Sequence, residues 1–170
     1  MTQSKSAQPV SMTMVHAMRR ALMLWFVLVV ISAFSLGVAF VLVTTSSQPQ
    51  TVPPPSDPWF IASALMLGLV VPACVVAHWR MFRSHWRQGV VEPGGYLRAS
   101  AILWGGLTLT AIVIAIGVVQ RNTLMPDLTL AGPTIALLLL SWPSGWSMTH
   151  ATPRRYEDDA EILHFQGPGA

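Results

Sequence analysis

Residues 78–98, HWRMFRSHWRQGVVEPGGYLR, hold four arginines and sit between two stretches that carry no Asp, Glu, Lys or Arg, one from Pro58 to Trp79 and one from Ala99 to Gln120. A basic, aromatic segment between two apolar runs reads as the cytoplasmic hinge joining two membrane crossings, because Lys and Arg are retained on that side. Working outward, two further uncharged runs appear, between Arg20 and Asp57 and from Leu128 to Pro153. Each of the four runs can supply the roughly 20 apolar residues of one bilayer crossing. The expected fold is therefore an all-α membrane protein of four transmembrane helices at about 21–43, 59–78, 99–119 and 128–148, arranged as two antiparallel hairpins. A polar N-tail over 1–20 and a C-tail over 149–170 flank this 21–148 domain.

Composition agrees. Of 170 residues, 52% are apolar and 10% charged, against about 25% charged in soluble domains. The net charge of +3 lies in short clusters beside apolar runs, so it marks topology and excludes a nucleic-acid surface. Lys5, Arg19 and Arg20 precede the first run; Arg80, Arg83, Arg87 and Arg98 lie in the hinge; Arg154 and Arg155 follow the fourth; the two remaining loops hold Arg121 alone. Nine against one places both termini and the hinge inside, in a bacterial inner membrane. The first run follows a basic flank as a secretory signal does, but its 23 residues exceed the roughly 7–15 of a cleaved signal core, which makes it an uncleaved first helix.

Punctuation within the runs sets local expectations. Five prolines in Thr44–Pro58 favour an extended outer loop. Pro72, four residues after Gly68, predicts a bend in the second helix. Glu92-Pro93-Gly94-Gly95 predicts a turn before the third, and Pro143 predicts the end or unwinding of the fourth. Thr152-Pro153 opens a short cytoplasmic C-terminal helix to about Phe165. Its acids Glu157, Asp158, Asp159 and Glu161 face the hinge arginines across the inner surface, giving a weak tail-to-hinge clasp. Ala33 with Gly37, and Ala101 with Gly105, have the four-residue spacing that lets helices approach closely in lipid.

The hinge is the candidate site. His78-Trp79-Arg80 recurs as His85-Trp86-Arg87; on a continued helix Arg80, Arg83 and Arg87 share one face and Trp79, Phe82 and Trp86 an adjacent one. Such a stripe suits the headgroup layer, so the expected partners are the bilayer, its anionic headgroups, and a second copy or another membrane protein. Arg20-Ala21 with Trp25 also resembles Arg98-Ala99 with Trp104, and Pro72 with His78 resembles Pro143 with His150, as in a parallel duplication of one hairpin. The segments Arg98–Trp104 and Ser141–Ser144, in this two-hairpin layout, resemble a group of small, uncharacterised bacterial four-helix integral membrane proteins. That resemblance implies the architecture and no activity.

Catalytic residues are not found: there is no Ser-His-Asp set, cysteine pair, HExxH or phosphate loop. Cys74 alone cannot form an internal disulfide. No metal site or cofactor is expected, although His16, His78, His85 and His150 near the inner face keep a haem-bearing redox subunit as a second alternative. The leading expectation is a non-enzymatic structural or interaction protein. A small transporter or channel-forming subunit is the alternative, with ion pumping disfavoured because no Asp or Glu falls inside an apolar run.

Overall fold

The computed structural model describes residues 8–47, 56–84, 86–87, 90–91 and 93–145. Among the described residues there are five helices: α1 (Gln8–Thr45), α2 (Pro58–Leu65), α3 (Val71–Ser84), α4 (Pro93–Arg121) and α5 (Asp127–Leu140). A π-turn over Met66–Val70 joins α2 to α3 without a break, and a two-residue antiparallel ladder pairs β1 (Trp86–Arg87) with β2 (Val90–Val91). Three helical stretches, Met14–Thr45, Pro58–Ser84 and Pro93–Arg121, are long and apolar enough to cross a membrane; α5 is apolar but shorter. This architecture is compatible with a helical integral membrane protein.

Helix ends differ from the hydropathy boundaries for identifiable reasons. α1 begins well before Ala21 because the small and polar residues of the N-tail permit helix; hydropathy marks the bilayer and not the end of hydrogen bonding. Pro93 starts α4 instead of turning the chain, since a proline at the first helical position lacks only an amide that would be unpaired there. α4 closes with Asn122 in the left-handed region (φ 51°), with Thr123 N–H donating to Val118 C=O and Asn122 N–H to Val119 C=O. This crossed pair of bonds satisfies carbonyls that a helix end otherwise leaves open. Just before Pro72, where a bend is expected, the helix carries a π-turn in which Val71 N–H reaches back five residues to Met66 C=O. α5 stops at Leu140, before Trp142-Pro143, because the residue preceding a proline is disfavoured in helical conformation.

α4 is the central element, and the other helices pack chiefly on it: α1 along its length, α2 and α3 on a second side, α5 on a third. Ala21, Trp25, Ser32, Ala39 and Val43 form the buried row of α1, at the three-to-four spacing of one helical stripe. They meet α4 in two apolar clusters. One gathers Ala21, Trp25, Val91, Tyr96, Trp104, Leu107 and Leu138; the other gathers Ala39, Val43, Ile114, Ala115, Val118 and Ala131. Between the clusters the buried Ser32 hydroxyl donates to Leu28 C=O at 2.8 Å and lies 3.4 Å from the Thr108 hydroxyl. The contact joins α1 to α4 through polar groups that lipid would leave unmet.

The small-residue contacts fall elsewhere than the expected spacing. Ala33 and Gly37 lie on the exposed side of α1. A side chain at Gly37 or Gly105 would meet nothing within 4 Å. Gly106, one position on, makes the close approach: a Cβ there would overlap Cys74 Sγ and lie 3.1 Å from Cys74 Cβ. Gly106→Ala is therefore expected to lower stability by about 1–3 kcal/mol, as overpacked positions do, whereas Gly105→Ala leaves it unchanged or raises it by roughly 0.5–1 kcal/mol. Denaturant unfolding in micelles measures both. Adding Cys74→Ala should recover most of the Gly106→Ala loss; equal losses with and without Cys74 would place the tight contact elsewhere.

Candidate functional site

Two polar assemblies close the two ends of the bundle. At one end the α4 terminus turns back through Asn122, so that Asp127, the first residue of α5, comes to rest against Arg121. Arg121 Nη2 pairs with Asp127 Oδ2, and Arg121 Nη1 lies 3.6 Å from Asp57 Oδ1. Arg121 Nε–H also donates to Gly117 C=O at 3.2 Å. The guanidinium can fold back because Gly117 has no side chain; a Cβ there would sit 3.2 Å from Arg121 Nη2 and 3.5 Å from Ser63 Oγ. Asp57 serves twice, since its Oδ1 also accepts from Trp59 and Phe60 N–H at 2.9 and 3.1 Å and caps α2 ahead of Pro58. Exposure of the three side chains is 6% for Arg121, 0% for Asp127 and 19% for Asp57, so the Asp127 pair is dry and the Asp57 contact partly wet.

At the other end, aromatic donors finish a helix that stops early. Trp25 Nε1–H on α1 donates to Leu138 C=O at 2.9 Å, and Trp104 Nε1–H on α4 donates to Ser141 C=O at 3.1 Å. Ser141 N–H and its hydroxyl take Leu137 and Leu138 C=O. The carbonyls of Leu137, Leu138 and Ser141 are thus met by protein donors, as an apolar surrounding requires. Trp142 stands edge-on to Trp25 with centroids 4.5 Å apart, and the Tyr96 hydroxyl pairs with the Gly145 backbone and Ser100. Trp25 follows the fully buried Ala21 by four residues and Trp104 follows the fully buried Ala99 by five, so the two similar segments align with a one-residue gap. The two indoles do the same work on one helix end.

The expected stripe of the hinge divides in the structure. α3 ends at Ser84, so Arg80 and Arg83 stay on the helix while the backbones of Trp86 and Arg87 enter the ladder; a single helical face does not hold all three arginines. Phe82 turns inward, with its ring 6.1 Å from Tyr96 and 5.4 Å from His78. Trp79, Arg80 and Arg83 remain exposed, with the Arg83 guanidinium 4.5 Å from the Trp79 ring centroid. Ala101 and Gly105 are half-buried on α4. The side chains of Trp86 and Arg87, together with His85, His150 and the acidic tail of the proposed clasp, lie outside the described residues.

Among the described residues no group of three His, Cys, Asp or Glu is placed to hold a metal ion. Sequence reasoning had counted Arg121 only as an outer-loop charge, and had not joined it to Asp57 and Asp127. The available signal was positional, since Asp57-Pro58 and Pro126-Asp127 both open helices beside the loop that holds Arg121. No protein-family model, curated protein or solved structure matches the chain.

Breaking the dry pair should be severe. Arg121→Met or Asp127→Leu alone is expected to cost about 3–5 kcal/mol by leaving one buried charge unpaired, with the double variant milder than either. Asp57→Ala should lose less, about 0.5–2 kcal/mol, the magnitude of a helix cap. Unfolding of the four proteins in one detergent tests the order; a double variant no better than the singles would mean that the two side chains do not act as a pair.

Proposed function

We propose that the chain is an integral protein of the bacterial inner membrane, with both termini and the hinge cytoplasmic, that performs no reaction and acts as a structural or interaction subunit. Its working surface is the inner end of α3, where Trp79, Arg80 and Arg83 face headgroups or a membrane partner. The observation that carries this reading is the unequal treatment of positive charge at the two ends. Arg121 is buried between two carboxylates, while Arg80 and Arg83 are exposed beside an exposed tryptophan. One end thus presents cation to the surface and the other withdraws it, as expected of inner and outer faces. Four crossings follow if α5 spans together with the chain after it. Fourteen helical residues rise about 21 Å, short of a hydrocarbon core of about 30 Å, and Ser141–Gly145 runs on from the tryptophan-capped end. The likeness to small bacterial four-helix membrane proteins belongs to the same reading.

A second reading, a small carrier or channel-forming subunit, draws on the π-turn at Met66–Val70 and the prolines Pro72 and Pro133, which interrupt the regular helices and could serve as moving parts. Solute or ion flux into proteoliposomes above that of protein-free vesicles would favour it over the first.

Topology is tested with single cysteines at Thr51 and Ser84 in a Cys74→Ala background. An impermeant maleimide on intact cells should label Thr51→Cys and spare Ser84→Cys until the cells are opened. The reverse pattern, or equal labelling, would remove the both-ends-inside arrangement.

A further inference from the structure

The face of the second span turned away from α4 carries an open trough of about 690 Å³. Gly68, Pro72, Ala73 and Ala77 leave the space, and the exposed side chains of Leu69 and Val76 stand beside it. Nothing lies within 4 Å of the place a Cβ would take on Gly68. The trough is apolar for most of its length and reaches Arg80 at the α3 end. Arg80 makes no ion pair among the described residues, while Arg83, three positions on, is stacked over Trp79.

We propose that this trough holds one acyl chain of an anionic phospholipid, with the lipid phosphate on Arg80 and Arg83 at its side. The proposal rests on the membrane reading above and names the ligand of its inner surface. Three features select the occupant. From Gly68 to Arg80 the helix rises about 18 Å, close to the roughly 15 Å that one leaflet contributes to a 30 Å core, so a chain anchored at Arg80 runs the length of the trough. Charge sits at one end only, where a headgroup would be. A second copy docked symmetrically in the same trough would bring two Arg80 side chains together, and like charges at short range oppose that contact. The tryptophan beside the arginines suits the same depth, since indoles concentrate at the headgroup boundary.

The full chain, purified in mild detergent and stripped of lipid, is titrated with phosphatidylglycerol or phosphatidylcholine of the same acyl composition, and bound lipid is counted by native mass spectrometry. One phosphatidylglycerol should bind about fivefold more tightly than phosphatidylcholine, the preference that one well-placed arginine gives. Arg80→Gln should bring the two lipids to near parity, Arg80→Lys should keep the preference, and Arg98→Gln, an exposed arginine outside the trough, should leave it unchanged. Ala73→Phe fills the trough from an exposed position and should weaken both lipids. Millimolar inorganic phosphate should not displace the lipid. An unchanged preference in Arg80→Gln, full retention in Ala73→Phe, or displacement by phosphate would each overturn the site, the last by showing an anion site that needs no acyl chain. The underlying membrane reading fails separately, by release of the full-length protein into the soluble fraction on alkaline carbonate extraction.

Discussion

The ion contact of Arg121 with Asp127 and Asp57 fixes the order of the bundle. One guanidinium at the end of the central helix meets the first residue of α5 and the cap of α2, so the beginnings of two helices are defined by the ending of a third. Such a contact is not simply a source of stability. Taking each ion out of water costs several kcal/mol, and the mutual attraction offsets this only when the partners stay together. Its effect is on registry: sliding α4 along either neighbour would strand a charge in a dry setting, whereas sliding an apolar seam would cost only packing.

The opposite end solves a different problem with neutral groups. α5 stops short, and the carbonyls of Leu138 and Ser141 at its end take donors from other helices. Trp25 and Trp104 bring indole N–H donors from two different helices to two successive places on that end. A tryptophan suits this use because its large apolar body packs in the cluster while its single donor points at the carbonyl. The central helix takes part in both closures, through Trp104 at one end and Arg121 at the other, which is why the remaining helices pack on it more than on one another.

What the sequence made legible follows from what kind of signal each feature leaves. Long uncharged runs are a bulk property, and the three long apolar helices lie where those runs lie. Ends were harder, because Gln8–Arg20 is polar yet helical and Pro93-Gly94-Gly95 can equally start a helix. Phase was harder still. Gly105 and Gly106 differ by about 100° around α4, and a spacing argument chose the one that faces open space. The stripe Arg80, Arg83 and Arg87 assumed a helix that continues past Ser84, where the chain instead forms a ladder. Arg121 was read for its sign and not for its neighbours, since the loop that folds Asp127 back onto it depends on the left-handed Asn122. The matching pair Trp25 and Trp104 was visible in the sequence as similarity between two segments, but its purpose required seeing where α5 ends.

The π-turn at Met66–Val70 acts as a phase correction for the second span. Trp59, Ser63, Leu67 and Val71 follow one another at intervals of four, and Ser63 and Val71 are buried while Leu67 packs against the core. In an unbroken α-helix three such intervals would carry the row about 120° around the axis, away from α4; the one extra residue absorbed by the π-turn reduces that drift to about 20°. The span therefore keeps Trp59 and Ser63 beside Gly117 at one end and Cys74 beside Gly106 at the other. The number of residues between those two contacts is thus constrained as tightly as their identity: a gain or loss of one position there is an angular error on one side or the other, even if every residue in between stays equally apolar.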